Sequence, residues 1–303
     1  MHFDEQKPLD IVLNDLFEHY RRHVADVSKI TDSLLEKNVI AAQSDIVNDH
    51  IAFRTLGVPN LGIASFEKIF LAYGYTRRDY YYFEGKKLNA YWYSPPTTAY
   101  PRIFVSELRV SDLSEAAQAI IQKYTEPITS DPVDDLDLSN GQQVAAFLQK
   151  PLWGLPTSTE YQTLLEESEY AAWVIYNRYY LNHYTISIHE LQEGYNTLEE
   201  FNAFLESIGV KLNTSGGKIK TSADGLLRQS STVSALYDAH FSDGKVLQIA
   251  GSYVEFAERS PLPAFQEIPK GELKPEHRRD GFETDNADKI FESTYTSQIK
   301  DNK

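Results

Sequence analysis

The chain has 303 residues, 42% of them apolar and 13% aromatic, and carries a formal net charge of −15. That profile excludes a disordered chain and leaves enough length to bury a real core. The acidic balance, with no basic cluster beyond short pairs such as Arg77-Arg78 and Arg278-Arg279, argues against a nucleic-acid partner; the absence of cysteine removes disulfides, thiolate metal sites and cysteine nucleophiles.

The opening MHFDEQKPLD has neither the basic nor the apolar region of a secretory signal, and no run of about eighteen apolar residues exists to span a membrane. A cytoplasmic protein without membrane association is expected. Leu9–Lys37 places apolar residues three and four apart and reads as helix. His19 and His23, four apart on it, suit a shared metal, but among Glu18, Arg21 and Arg22 they read better as a polar helix face.

The stretch NDHIAFRTLGVPN (48–60) is a short strand ending at Gly and Pro. Side chains alternate along a strand, so His50, Ala52 and Arg54 share one face, Ile51, Phe53 and Thr55 share a core-like face, and Asp49 points away from His50. GIASFEKIFLAYGY follows as a helix, with Ser65 as its cap, an apolar stripe of Phe66, Ile69, Phe70 and Tyr73, and Gly74 as its stop. Two aromatic-rich strands flank Glu84-Gly85-Lys86 as a hairpin, Pro95-Pro96 ends the second, and PRIFVSELRV is a further strand. Ser111–Tyr124 reads as helix, Thr125–Asn140 as a loop, and Tyr161–Tyr179 as helix.

The first pattern then returns. LNHYTISIHEL is a strand with a histidine after an asparagine, and TLEEFNAFLESIGV is a helix with Thr197 as cap, Glu200 completing a capping box and Gly209 as stop. NTSGGKIKTSADG is expected to be a mobile loop. Further strands follow in LLRQSSTVSALYDAHF, KVLQIAG and SYVEFAERS, with a turn at Ser242-Asp243-Gly244. The expected fold is α+β: two pseudo-repeated β-α-β-β-β modules, at about 45–125 and 180–262, forming a curved sheet around a metal site. A single domain over 1–303 is expected, with a helical segment at 9–37, a helical connector at 126–179 and a polar tail at 269–303.

His50 and His183 begin the first strands of the two modules, so pseudo-symmetric packing brings them to one site. Glu255, in an apolar strand where an unpaired carboxylate is costly, supplies a third ligand. Two histidines and a carboxylate form the facial triad of non-haem Fe(II) oxygenases, although Mn(II), Co(II), Ni(II) or Zn(II) also fits these donors. Glu107, on the last strand of the first module, is a candidate fourth ligand or an acceptor for a ligand histidine. His189 is a weaker rim candidate. Arg54 lies about 13 Å along the strand from His50 and is long enough to lean back and take a substrate carboxylate. A salt bridge to Glu107 is its competing reading.

The segments DHIAFRTLGVPNLGIASFEKIF, KKLNAYWYSPP, PRIFVSELRV, NHYTIS and GSYVEFAER, in this order, resemble the 2-oxoadipate dioxygenase/decarboxylase family, related to the vicinal oxygen chelate superfamily. The resemblance runs from about Leu9 through SPLP. It implies Fe(II) held by His50, His183 and Glu255, with Arg54 as the essential carboxylate binder. It also implies a small 2-oxo acid and O2 as partners. Oxidative loss of CO2 and hydroxylation of the same molecule would turn 2-oxoadipate into 2-hydroxyglutarate. A different metal-dependent enzyme on this scaffold, such as an isomerase or extradiol-type dioxygenase, and a non-catalytic small-ligand binder are the alternatives.

Overall fold

A computed structural model describes residues 3–301. Two helices, α1 (Pro8–His23) and α2 (Ala25–Glu36), lead into the first module: β1 (Asn48–Leu56), α3 (Ile63–Ala72), β2 (Thr76–Phe83), β3 (Leu88–Ser94) and β4 (Arg102–Leu108). A connector follows with α4 (Glu115–Thr125), α5 (Gly141–Gln149), α6 (Ser158–Glu167) and α7 (Glu169–Asn177). The single helix expected over 161–179 is thus two, broken at Ser168, whose side chain accepts from Ala171 N to start α7. The second module is β5 (His183–Ser187), α8 (Leu198–Ser207), β6 (Lys220–Thr221), β7 (Leu227–Ser231), the hairpin β8 (Leu236–His240) and β9 (Val246–Ala250), then β10 (Tyr253–Arg259). The chain closes with α9 (Thr284–Phe291) and α10 (Thr296–Asp301).

Eight strands form one sheet in the order β2-β3-β4-β1-β5-β10-β7-β6. β1 and β5 meet antiparallel at its centre, each flanked by a parallel partner, β4 and β10. The two halves therefore repeat as β-α-β-β-β about the β1–β5 seam, the vicinal oxygen chelate-like α+β fold expected from the sequence. One part of the strand assignment is corrected. β10 pairs directly with β7, which leaves no ladder for β8 and β9; these form a separate two-stranded sheet inserted in the second module. The expected mobile loop at 213–225 contains β6, and its Lys220 and Asn213 are buried and bonded.

The convex face carries Ile51, Phe53 and Val105 from one module and Tyr184, Ile186 and Phe256 from the other, all buried. Phe66 of α3 packs on Phe53, with ring centroids 4.7 Å apart, and Phe201 of α8 packs on Phe256 at 5.1 Å. Both helices stop the same way. Gly74 and Gly209 adopt φ +85 and +74, and the next residue returns its N–H to Phe70 O and Leu205 O respectively. Ser65 does not cap α3: the cap position is Gly62, and Ser65 Oγ bonds Asp131 instead. No helix among the described residues is long and apolar enough to cross a membrane.

The segment expected to be a polar tail is folded. Its Phe282 and Phe291 are buried against the concave face of the sheet, with Phe282 4.9 Å from the ring of Phe104. α9 has a charged outer side, which is what the composition registers, and an apolar inner one.

Candidate metal centre

The concave face at the β1–β5–β10 seam gathers His50, His183 and Glu255, each at most 5% exposed. Their potential ligand atoms converge: His50 Nε2 to His183 Nε2 is 3.3 Å, His183 Nε2 to Glu255 Oε2 is 3.0 Å, and His50 Nε2 to the same oxygen is 3.6 Å. Ligands about 2.1 Å from one ion stand ~3.0 Å apart at right angles and ~3.4 Å apart at tetrahedral angles. The triangle spans both values, so it fits one ion of this class with further positions open. Burial pushes the Glu255 carboxyl up, but the His50 and His183 charges outweigh it and hold it at about 2. Burial lowers His183, while Glu255 and Asp49 overcome burial to raise His50. A carboxylate this deep is anionic and needs a cation.

Each histidine of the triad is aimed by the residue before it. Asp49 Oδ1 lies 2.8 Å from His50 Nδ1, and Asn182 Oδ1 lies 3.1 Å from His183 Nδ1. These acceptors fix the tautomer that leaves Nε2 free for a metal. The expectation that Asp49 points away from His50 is overturned. The β1–β5 register shifts between Asn48 and Ile51, and this bulge breaks the alternation there. Asp49 in turn is gripped by Arg259, at 2.6 Å to Nε and 2.9 Å to Nη2. Burial pushes the Asp49 carboxyl up, but Arg259 and Arg102 hold it well below the ordinary range. Glu255 has its own holder: Gln229 Nε2 donates to Oε1 at 2.6 Å, which leaves Oε2 facing the histidines, and Asn286 of α9 donates to Gln229 Oε1 at 3.0 Å.

Arg54 is 1% exposed on the same face. Its guanidinium sits among the rings of Tyr170, Trp173 and Phe291 and donates to Thr294 Oγ1 at 3.0 Å and Phe291 O at 3.1 Å. No ion pair to Arg54 appears among the described residues. The competing salt bridge to Glu107 fails because Glu107 lies on the convex face, where its Oε2 accepts from Ile63 N at 2.8 Å to cap α3.

Glu107 is therefore not beside the triad. The register explains the mismatch. Ala52 pairs with Phe104 as Thr185 pairs with Glu255, so Phe104, not Glu107, stands where Glu255 stands in the second module. The counterpart of Glu107 is Glu258, whose Oε2 caps α8 by accepting from Leu198 N at 2.9 Å. The pseudo-symmetric fourth ligand position is thus a phenylalanine. His189 sits past the end of β5 in a 3-10 turn, against Ala257 O and Arg259 N, and is held down at about 4 chiefly by burial. His19 and His23 pack on each other at 4.4 Å on α1.

The cavity at the triad is small, about 20 Å³, and is roofed by Phe282, Ile290 and Phe291. Larger cavities, about 490 Å³ beside Gly57 and Val110 and about 520 Å³ beside His19 and Arg178, do not touch it.

Asp49, Asn182, Gln229 and Arg259 escaped the sequence reading. The two Asx-His dipeptides at matched module positions were a usable signal, as was Arg259, which alternation places on the Glu255 face.

Paired modules enclosing two histidines and a glutamate define a class: a mononuclear metal enzyme of the vicinal oxygen chelate type. Comparison with known proteins narrows it. Residues 12–268 match the sequence-family model of 2-oxoadipate dioxygenase/decarboxylase. A chloroplastic 2-oxoadipate dioxygenase/decarboxylase of Arabidopsis thaliana is 44% identical over 281 residues, covering 88% of this chain and 73% of its own. A chloroplastic/amyloplastic one of Oryza sativa subsp. japonica is 46% identical over 267 residues, covering 84% of this chain and 71% of its own. The crystal structure of the Oryza sativa hydroxyglutarate synthase in complex with 2-oxoadipate superposes with a TM-score of 0.86 at 41% identity, covering 95% and 92% of the two chains. The chain belongs to the 2-oxoadipate dioxygenase/decarboxylase family. The plastid names of both relatives overturn the cytoplasmic expectation.

Proposed function

We propose that this protein is an Fe(II)-dependent dioxygenase/decarboxylase that converts 2-oxoadipate and O2 to 2-hydroxyglutarate and CO2. The observation that carries the reading is the buried His50–His183–Glu255 triangle with an arginine on the same face that has no carboxylate partner among the described residues. The atoms balance: one oxygen of O2 enters the carboxylate left by loss of CO2, and the other becomes the new hydroxyl. His50, His183 and Glu255 would hold the iron, whose chemistry is to activate dioxygen and accept the 2-oxo carboxylate.

The chain's own residues do the rest. Asp49 and Asn182 keep both imidazoles aimed, and Gln229 holds Glu255 Oε1 so that Oε2 faces the histidines. Arg54 takes the second carboxylate of the substrate and fixes which carbon faces the metal. Phe104, Phe282 and Phe291 exclude water from the reacting carbons. A cavity of about 20 Å³ admits an ion or a water, not a whole dicarboxylate, so substrate entry requires the α9 roof to move.

The test is oxygen uptake and CO2 release by anaerobically Fe(II)-loaded protein across a panel of 2-oxo acids, beginning with 2-oxoadipate. Uptake with stoichiometric 2-hydroxyglutarate is the expected result. Iron bound without uptake on any 2-oxo acid refutes the activity. Normal iron binding by His183→Ala refutes the ligand assignment.

A further inference from the structure

The Tyr253 hydroxyl and Arg54 Nε are both buried donors without an acceptor among the described residues. A buried polar group left unpaired costs more than a made hydrogen bond gains, so such groups call for an explanation, and a missing ligand is one.

Their placement argues for that ligand. Ala52, His183 and Tyr253 pair across β1, β5 and β10 as one row on the concave face, and Arg54 is the next residue of β1 on the same face. The Tyr253 ring packs on the His183 ring with centroids 4.8 Å apart, and Tyr253 lines the triad cavity. The Arg54 guanidinium faces the phenol oxygen and acts on it by charge and as a hydrogen-bond donor, so what the phenol lacks is an acceptor for its own proton. The position of Tyr253 is fixed from behind, where its carbonyl accepts from the Tyr20 hydroxyl of α1. The Tyr184 hydroxyl is also unpaired, but it lies on the opposite face among Phe17 and Tyr20, away from any ligand.

We propose that Tyr253 contacts the substrate, its hydroxyl donating to the same carboxylate that Arg54 takes. A carboxylate has room for both donors on its two oxygens. The pairing makes the site selective for 2-oxo acids bearing a second carboxylate. This assignment rests on the 2-oxo dicarboxylate reading above.

The experiment uses the full chain, Fe(II)-loaded and anaerobic, as wild type and as Tyr253→Phe, which keeps the ring against His183. Calorimetry measures the binding of 2-oxoadipate and of 2-oxohexanoate, which lacks the second carboxylate. The variant is expected to keep full iron stoichiometry and to lose roughly ten- to a hundredfold in affinity for 2-oxoadipate, the range for a hydrogen bond to a charged group. Its affinity for 2-oxohexanoate is expected to be unchanged. Unchanged 2-oxoadipate affinity overturns the role of Tyr253 and leaves the proposed function standing. Equal losses for both ligands, or loss of iron, overturn it too and make Tyr253 a support for His183. Failure of the wild type to bind either acid overturns this role and the substrate reading together.

Discussion

The Asp49–Arg259 pair offers a measurable test of how the site is braced. Both side chains are at most 2% exposed, and two short contacts join them. In Asp49→Asn the amide oxygen can still accept from His50 Nδ1, as Asn182 does for His183. The amide NH2 then meets Arg259 Nε, donor against donor, and the guanidinium keeps a neutral acceptor for Nη2 and the Arg279 and Gly281 carbonyls but loses its charged partner. Breaking a buried pair from one side costs about 3–5 kcal/mol. For a chain of this length that corresponds to a fall in Tm of roughly 5–8 °C. Thermal unfolding followed by circular dichroism, with chelator present so that metal linkage does not contribute, measures it. The double variant Asp49→Asn/Arg259→Met removes both charges and is expected to unfold higher than Asp49→Asn alone. Additive losses in the double variant would refute the coupling. Asp49 is depressed below its ordinary 3.8, so the pair's contribution is present above that pH and is lost only as pH falls through the lowered value.

Arg54→Ala is expected to retain iron while 2-oxoadipate affinity falls ~100-fold or more, the loss of a charged bidentate contact, as read by anaerobic titration. Gln229→Leu removes the donor that holds Glu255 Oε1 and is expected to weaken metal binding roughly 10–100-fold in competition with a chelator. Lys220 is held down at about 8, from an ordinary 10.5, chiefly by burial. Between those values the unfolded chain binds a proton that the folded one lacks, so wild-type stability should rise from about pH 8 to 10.5 relative to Lys220→Met, as measured by urea unfolding. Hydrogen exchange in α9 is expected to speed or slow measurably on anaerobic addition of 2-oxoadipate, because the roof must part and reclose; an unchanged profile with substrate bound contradicts that.

Periodicity made the repeated modules legible, and the repeat made the triad legible, because His50 and His183 open equivalent strands. Counting along strands misled at Glu107, since equivalence is set by cross-strand register, which pairs Phe104 with Ala52 and sends Glu107 to cap α3. Asp49 was misread because strand alternation assumes a regular ladder, and the β1 bulge is a tertiary feature. The folded C-terminal segment was hidden by its charge: α9 exposes Asp285, Asp288 and Lys289 at least partly and buries Asn286, Ile290 and Phe291, a pattern too short to outweigh its polar surroundings.

The contacts that complete the centre also set a timetable for its assembly. His50 meets His183 across 133 residues of chain, Asp49 meets Arg259 across 210, and Arg54 meets Phe291 across 237. On a ribosome the first histidine emerges long before its partners, and the roof comes almost last. Such distant closures slow folding. They also put Glu255, the last of the triad, ahead of Phe282 and Phe291 in the chain, so all three converging side chains are made before the roof that covers them.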